Sequence, residues 1–295
     1  MSLSDFDNIP NIGIVKPIFE NSEEANLLKL KNETFELPES NFMFLNDHYG
    51  FRKGCIHLVI GSQGKGKSSL TRSLLYERLE KGNRVFFYAT EESPKDIKTS
   101  AAYFGAGNEL LGNLLIGTEK KMRTFLESTK EIEAFMKVLK TWILKAEAEI
   151  FFFDNLTTSA IYNSNNAYQA SRFIWELHVL CEKLNIPFVI VAHTNPNKKD
   201  NSNQWIDGND IRGSRDASIR AQYLYAIRTL DITESADITI RKAFVFTQKA
   251  RNHTCTGNIY SLKWDGQRKG YSGDTRISME QFNKFYKMRN KIGEK

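Results

Sequence analysis

Ile56-His-Leu-Val-Ile60, followed directly by Gly61-Ser-Gln-Gly-Lys-Gly-Lys-Ser68, is the stretch that decides the fold. The second segment fits the pattern G-x-x-x-x-G-K-[ST], and the apolar run before it predicts a buried strand that turns through glycines into a helix. Such a turn points backbone N–H groups and a helix N-terminus at one spot, which suits the phosphates of a nucleoside triphosphate. The alternative is a glycine-rich turn beside a basic helix.

Residues of this loop and of the first helical turn are predicted to hold ATP and Mg²⁺. In this interpretation Lys67 reaches the β and γ phosphates, and the Ser68 hydroxyl is a ligand of Mg²⁺. The predicted nucleotide contacts are Gly61, Ser62, Gln63, Gly64, Lys65, Gly66, Lys67, Ser68 and Ser69.

Further apolar segments predict the rest of a sheet. Buried strands are predicted at 84–89, 149–154 and 186–192, and helical patterns alternate with them. This order indicates an α/β fold, a mainly parallel twisted sheet with helices on both faces. Later strands, the last of them antiparallel, are predicted at 221–228, 242–248 and 258–264.

Polar chemistry is predicted at the carboxyl edge of this sheet, where ligands bind in such folds. Four predicted strands end there in Gly61, Glu91, Asp154 and His193. Asp154 is predicted to hold Mg²⁺ together with Ser68. His193 is predicted to sense the γ-phosphate or to relay its loss into the following loop.

A carboxylate after the second strand is predicted to accept the proton of an attacking water molecule. Glu91 and Glu92 both fit, because a shift of one residue at a strand end reverses the direction of a side chain. The alternative is an acidic pair that caps a helix beginning near Ser93-Pro94.

Length and charge predict the organisation of the chain. Its 295 residues suffice for one large α/β domain with a small extension. The net charge is +6, but residues 1–40 hold eight Asp or Glu against three Lys. We therefore predict an acidic N-terminal extension at 1–40 as a candidate subunit-docking segment, the α/β domain with the nucleotide site at 41–275 and a basic tail at 276–295. The basic body favours a nucleic-acid partner, although a nucleotide site alone needs positive charge.

Several classes of protein are excluded by composition. The three cysteines, Cys55, Cys181 and Cys255, have no paired spacing, so neither a disulfide framework nor a zinc site is indicated. No apolar run is long enough to span a bilayer, and the N-terminus lacks the order of a secretory signal. We expect a cytoplasmic protein without a membrane partner.

Two later groups of residues are predicted to contact partners. In the long polar stretch 195–220, a nucleic-acid backbone is predicted to contact Lys198, Lys199, Arg212, Gly213, Ser214 and Arg215. Nearby aspartates cancel most of that local charge. Lys249 and Arg251 end a late strand, where an arginine supplied across a subunit boundary can stabilise a transferred phosphoryl group. The alternative for this pair is an exposed hairpin tip.

In their order along the chain, these segments resemble the RecA-like P-loop ATPases and, within them, the motor domain of DnaB-type hexameric replicative helicases of the compact plasmid and phage type. The resemblance covers about residues 45 to 270. It implies that Glu91 activates water, that His193 couples phosphate sensing to a DNA loop, and that Lys249 and Arg251 reach the ATP of a neighbouring subunit. DnaB itself has Gln at the His193 position and a large amino-terminal domain without a counterpart in this sequence.

Three functions follow from the resemblance. The preferred one is an ATP-hydrolysing helicase or translocase in replication, a homo-hexameric ring on single-stranded DNA with replication or loader proteins as partners. The second is a recombination or repair ATPase of the RecA or RadA kind. The third is a KaiC-like or loader-type regulatory ATPase without motor activity. The segment Glu91-Glu92-Ser93 favours the second function, since it resembles RadA and KaiC as much as DnaB.

Overall fold

The computed structural model describes most of the chain between Ser40 and Arg289. The described ranges are 40–105, 107–126, 132–162, 166–195, 205–213, 215–235, 238–251 and 255–289. Outside them lie residues 1–39 of the predicted extension, residues 290–295 of the predicted tail, and the predicted nucleic-acid contacts Lys198, Lys199 and Ser214. The predictions for these residues stay predictions.

One mixed sheet organises the described part of the chain. Its strands are β1 (Ile56–Gly61), β2 (Val85–Ala89), β3 (Leu114–Thr118), β4 (Ile150–Asp154), β5 (Phe188–His193), β6 (Tyr223–Ser235), β7 (Ile238–Ala250), β8 (Ile259–Asp265) and β9 (Gly270–Ile277). Their order across the sheet is β3-β2-β4-β5-β1-β6-β7-β8-β9. Neighbours from β3 to β6 in this order are parallel, and those from β6 to β9 are antiparallel. The predicted fold class is therefore confirmed.

Helices pack on both faces of the sheet because its central strands are buried throughout. The helices are α1 (Met43–Asn46), α2 (Lys67–Glu80), α3 (Pro94–Tyr103), α4 (Asn108–Gly112), α5 (Glu119–Leu126), α6 (Ile132–Lys145), α7 (Ala167–Leu184), α8 (Asp216–Arg220) and α9 (Met279–Arg289). One core cluster contains Leu70 and Leu74 of α2 with Ile97 of α3. A second contains Phe135 of α6 and Phe173 of α7. Two apolar layers thus enclose the sheet and leave its carboxyl edge for ligands.

Two edge strands, β3 and β9, are not predicted by the hydrophobic pattern. β3 has only five residues and contains Gly117, and β9 contains Gly270 and Gly273 in a largely polar segment. Both edges need a glycine, since a Cβ at Gly117 would lie 2.9 Å from the Phe86 ring and one at Gly270 would overlap the Phe104 ring. Pairing with distant strands therefore forms these strands despite weak local signals.

Helix α9 occupies residues 279–289 of the predicted basic tail and lies against β6. Phe282 is fully buried, with its ring centroid 5.2 Å from that of Phe244 and 4.8 Å from that of Trp205. This part of the tail is therefore packed on the sheet. The domain boundary predicted at residue 275 stays a prediction.

Two histidines are buried beside the start of β1. The His57 ring stacks on that of Tyr223 at a centroid distance of 4.4 Å, and its Nε2 accepts from the Arg52 N–H at 3.2 Å. Its Nδ1 lies 3.2 Å from the Tyr225 hydroxyl oxygen, which also contacts Nε2 of His48. Burial, and secondly the nearby His48, holds the pKa of His57 well below its usual value. His57 is thus a neutral core residue.

Acid is expected to destabilise the fold through His57. Its pKa of about 6.5 in the unfolded chain exceeds that in the fold, so its stabilising contribution is complete above that pH and is lost as the pH falls towards the folded-state value. In the wild type, we expect His57 to lower the free energy of unfolding by up to about 1.4 kcal/mol for each pH unit below pH ~6.5. This contribution is expected to be absent from His57→Gln. Urea unfolding of both proteins between neutral and mildly acidic pH measures the difference, and parallel profiles would contradict the expectation. Burial raises the pKa of Asp274 to about 6, so this residue stabilises the fold as the pH falls. Its effect is opposite to that of His57 and is the same in both proteins.

Candidate nucleotide site

The phosphate loop connects β1 to α2. β1 ends at Gly61 and α2 begins at Lys67. Between them, Gly64 and Gly66 have φ angles of 73° and 85°, in the left-handed region that favours glycine. A Cβ at Gly66 would also lie 2.9 Å from the Tyr271 hydroxyl oxygen. Strand, loop and helix thus follow one another as the sequence predicts, with the N-terminus of α2 at the carboxyl edge of the sheet.

Lys67 and Ser68 begin α2 beside the end of β4. Lys67 is buried, and its Nζ donates to the Ser62 carbonyl oxygen at 2.7 Å. The Ser68 hydroxyl is hydrogen-bonded to the carboxylate of Asp154, the last residue of β4. Burial raises the pKa of Asp154, while the Ser68 hydrogen bond and the charges of Arg72 and Lys67 oppose that rise.

Asp154 and Ser68 fit a divalent cation such as Mg²⁺. Both supply oxygen ligands, and a cation would offset the cost of keeping the buried Asp154 carboxylate ionised. Among the described residues no group of three or more His, Cys, Asp or Glu side chains could hold a metal ion. A Mg²⁺ ion here would therefore complete its coordination with water and substrate phosphates.

The two glutamates after β2 face different neighbours. Glu91 lines the cleft beside the phosphate loop, and its side chain is 56% exposed. Glu92 forms an ion pair with Arg72 of α2. The side chain that caps α3 is that of Ser93, which accepts from the Asp96 N–H at 3.2 Å. Of the two glutamates, Glu91 is the one placed to reach a nucleotide.

One amide joins Glu91 to His193. Asn155 is buried directly after Asp154, and its Nδ2 lies 3.2 Å from Oε1 of Glu91 and 2.9 Å from Nε2 of His193. That Nε2 lies 3.9 Å from the same carboxylate oxygen. Burial, and secondly the charge of Lys67, lowers the pKa of His193. The ends of β2, β4 and β5 are thus linked by one hydrogen-bonded group.

The local sequence does not single out Asn155. Its partners Glu91 and His193 are 64 and 38 residues away along the chain. The only local signal is that Asn155 caps a short 3₁₀ turn, Leu156–Thr158, where its Oδ1 accepts from the Thr158 N–H at 3.0 Å. Its role therefore emerges only from the folded structure.

A cleft of about 900 Å³ lies between the phosphate loop and the antiparallel strands. The predicted contacts Gln63, Gly64, Lys65, Gly66, Lys67, Ser68 and Ser69 line it, while Gly61 and Ser62 precede them. The other wall includes Thr229, Arg241, Lys242, Leu262, Trp264 and Tyr271. The rings of Trp264 and Tyr271 meet edge to face, 5.3 Å between centroids, and Trp264 is 54% exposed. This aromatic pair is missed at the sequence level, because the pairing of β8 with β9 creates it.

Two loops meet beyond the end of β5. The Arg212 N–H donates to the His193 carbonyl oxygen at 3.1 Å, and the Tyr162 hydroxyl donates to the Arg212 carbonyl oxygen at 3.0 Å. Gly213 has a φ of 104°, and a Cβ there would lie 2.6 Å from the Tyr162 hydroxyl oxygen. Arg212 and Arg215 are exposed. Their contact with nucleic acid stays a prediction.

Lys249 and Arg251 lie at the opposite edge of the sheet from the phosphate loop. Leu224, at the start of β6, pairs with Lys249 on one side and with Leu58, near the start of β1, on the other. The Lys249 Nζ donates to the carbonyl oxygens of Ser218 and Ile219 at 2.9 and 2.8 Å, and Arg251 also donates to the latter, at 3.3 Å. The structure therefore does not bring this pair to the cleft of its own chain.

The fold and this site define the class of protein. The family model described as an AAA domain matches residues 47–199, more than half of the chain, and the chain belongs to this family. It is a RecA-like P-loop ATPase domain. No helix among the described residues has the length and apolar character of a membrane span.

Two similar proteins can be compared with this chain. The circadian clock oscillator protein KaiC of Acaryochloris marina (strain MBIC 11017) is 30% identical over 120 residues, which are 41% of this chain and 22% of that protein. The chain thus spans about a fifth of this relative. The crystal structure of the KaiC-like protein PH0186 from Pyrococcus horikoshii OT3 superposes with a TM-score of 0.57 over 78% of this chain and 92% of that one, at 16% identity. This structural likeness shows the fold.

Of these two similar proteins, one is KaiC and the other is described as KaiC-like. They give the narrower prediction of a DnaB-type motor domain no support of its own.

Proposed function

We propose that this protein binds Mg²⁺-ATP in the cleft, hydrolyses it, and acts as a KaiC-like regulatory ATPase in which bound nucleotide controls the assembly of several copies of the chain. The meeting of Lys67, Ser68, Asp154 and Glu91 at one edge of the sheet carries the catalytic part. Similarity to KaiC supports the regulatory part.

Each group at this edge has one task in the proposed reaction. Backbone N–H groups of the loop and the Lys67 ammonium bind phosphate oxygens. Ser68 and Asp154 would hold Mg²⁺, which would supply positive charge to the phosphates. Glu91 accepts a proton from the water that attacks the γ-phosphorus. The bond between the γ-phosphorus and the oxygen that links it to the β-phosphate breaks, which leaves ADP and inorganic phosphate.

Trp264 and Tyr271 are proposed to hold the base. They line the wall of the cleft that faces the phosphate loop, and a half-exposed indole offers a flat apolar face to a purine. Burial raises the pKa of Tyr271 to about 12, so its hydroxyl stays protonated and is available as a donor. Quenching of tryptophan fluorescence on ATP binding is the expected signal.

Lys249 and Arg251 are proposed to act on the nucleotide of a neighbouring copy. Both lie at the edge of the sheet away from their own cleft, so they can reach a γ-phosphate only across a subunit boundary. Nucleotide bound between copies would then favour assembly, which makes the oligomer responsive to ATP. In a closed ring, every cleft faces Lys249 and Arg251 of a neighbouring copy. The family resemblance favours a ring of six copies.

Measurement of phosphate release and of molecular mass in the same samples tests this proposal. We expect turnover that is abolished by EDTA, a larger mass with ATP and Mg²⁺ by analytical ultracentrifugation, and a rate that single-stranded DNA leaves nearly unchanged. Lys67→Ala is expected to weaken ATP binding about 10- to 100-fold, because a charged phosphate contact is lost.

Three results would contradict the proposal. Absence of phosphate release would remove its catalytic part, and a mass that is unchanged by ATP would remove its regulatory part. Strong stimulation by single-stranded DNA, together with strand displacement, would favour the predicted helicase instead.

A further inference from the structure

We propose that Asn155 is a positioning residue that holds the Glu91 carboxylate and the His193 imidazole with one side-chain amide. The inference rests on the proposed function, because it concerns how the base of that reaction is held. Neither the phosphate-loop motif nor the strand-end pattern assigns this residue a role.

The orientation of the Asn155 amide is fixed from its far side. Its Oδ1 accepts from the Thr158 backbone N–H at 3.0 Å and from the Thr157 hydroxyl at 2.8 Å. A backbone N–H can only donate, so the atom that faces it is the amide oxygen, and Nδ2 faces Glu91 and His193. The side chain of Asn155 is buried, so the protein rather than solvent sets this orientation.

The two hydrogens on Nδ2 serve two acceptors. Glu91 Oε1 accepts at 3.2 Å and His193 Nε2 at 2.9 Å. A ring nitrogen that accepts carries no proton, so the His193 proton lies on Nδ1 and the ring is neutral. This protonation state agrees with the burial of His193 beside Lys67, which disfavours an imidazolium.

Removal of the amide would leave Glu91 and His193 to interact directly. Their nearest side-chain atoms are 3.9 Å apart, within range of an ion pair. A protonated His193 would then form an ion pair with the Glu91 carboxylate, which the reaction needs as a proton acceptor. Asn155 thus keeps Glu91 available and links its position to that of His193.

Two substitutions separate this role from the capping role of Asn155. Serine and aspartate are both good caps, so Asn155→Ser and Asn155→Asp keep the cap of the 3₁₀ turn. Serine is too short to reach Glu91 and His193, whereas aspartate presents an acceptor oxygen where the amide presents a donor. A residue that only capped the turn would tolerate both changes.

Nitrogen-15 chemical shifts of the His193 ring in the full-length, nucleotide-free protein report which ring nitrogen carries the proton, and His193→Gln identifies the signal. We expect Nε2 to be unprotonated in the wild type and protonated in Asn155→Asp. Both Asn155 variants are expected to lower kcat for ATP hydrolysis about 10- to 100-fold, the usual effect of losing a side chain that orients the residues of a site by hydrogen bonds. Binding of a non-hydrolysable ATP analogue is expected to stay near the wild-type value.

A protonated Nε2 in the wild type would overturn this inference, as would wild-type kcat with unchanged His193 shifts in both variants. A wild type that binds ATP but releases no phosphate would contradict the proposed function instead. In that case the proton position on His193 still decides the role of Asn155, because its measurement needs no turnover.

Discussion

Replacement of Glu91 by glutamine is expected to lower kcat for ATP hydrolysis by about 100- to 10,000-fold, the usual contribution of a positioned general base. The amide has nearly the same shape as the carboxylate but cannot take a proton from the attacking water. The Kd for Mg²⁺-ATP is expected to change little, because Lys67, Ser68 and Asp154 remain in place. Single-turnover phosphate release and equilibrium binding measure the two quantities separately.

Glu92→Gln is the matched control for this substitution. It makes the same chemical change one residue further along, where the side chain contacts Arg72 of α2. We expect its kcat to stay within a few-fold of the wild type. Equal losses in the two variants, or a larger loss in Glu92→Gln, would show that the base has been assigned to the wrong glutamate.

Replacement of Arg251 by alanine is expected to lower kcat by about 1,000-fold or more, in the range measured for arginines that stabilise a transferred phosphoryl group from a neighbouring subunit. ATP binding to the unassembled chain is expected to be unchanged, since Arg251 lies away from its own cleft. Arg84→Ala is the control, because Arg84 is an exposed arginine that immediately precedes β2 at the same edge of the sheet.

Mixing two inactive variants tests whether Arg251 acts between copies. Arg251→Ala has an intact cleft, and Glu91→Gln has an intact arginine. In an equal mixture about one subunit boundary in four combines both intact parts, so about a quarter of the wild-type rate is expected. A mixture as inactive as its components would contradict action between subunits.

The phosphate loop, the parallel sheet and the proximity of Ser68 to Asp154 could be predicted because each depends on local sequence. Continuous apolar runs before Gly61, Glu91 and Asp154 indicate buried parallel strands, and parallel strands necessarily bring their carboxyl ends to one edge. The residue pattern alone left Glu91 and Glu92 open, and only the family resemblance favoured Glu91, since the direction of Glu92 depends on a contact with Arg72 on another element.

The parts that were missed depend on contacts between distant residues. Trp264 reaches the cleft through the pairing of β8 with β9, and Asn155 contacts Glu91 beyond the end of β2 and His193 at the end of β5. Neither placement leaves a periodic signal in the chain. The distance of Arg251 from its own cleft likewise follows from the antiparallel register of β6 and β7, which sequence patterns do not define.

A structure of the Glu91→Gln protein with ATP and Mg²⁺ tests the central claim most directly. The account predicts triphosphate along residues 62–69, metal density against the Ser68 hydroxyl and the Asp154 carboxylate, and the base beside Trp264. ATP bound elsewhere, or a metal ion remote from Ser68 and Asp154, would contradict it.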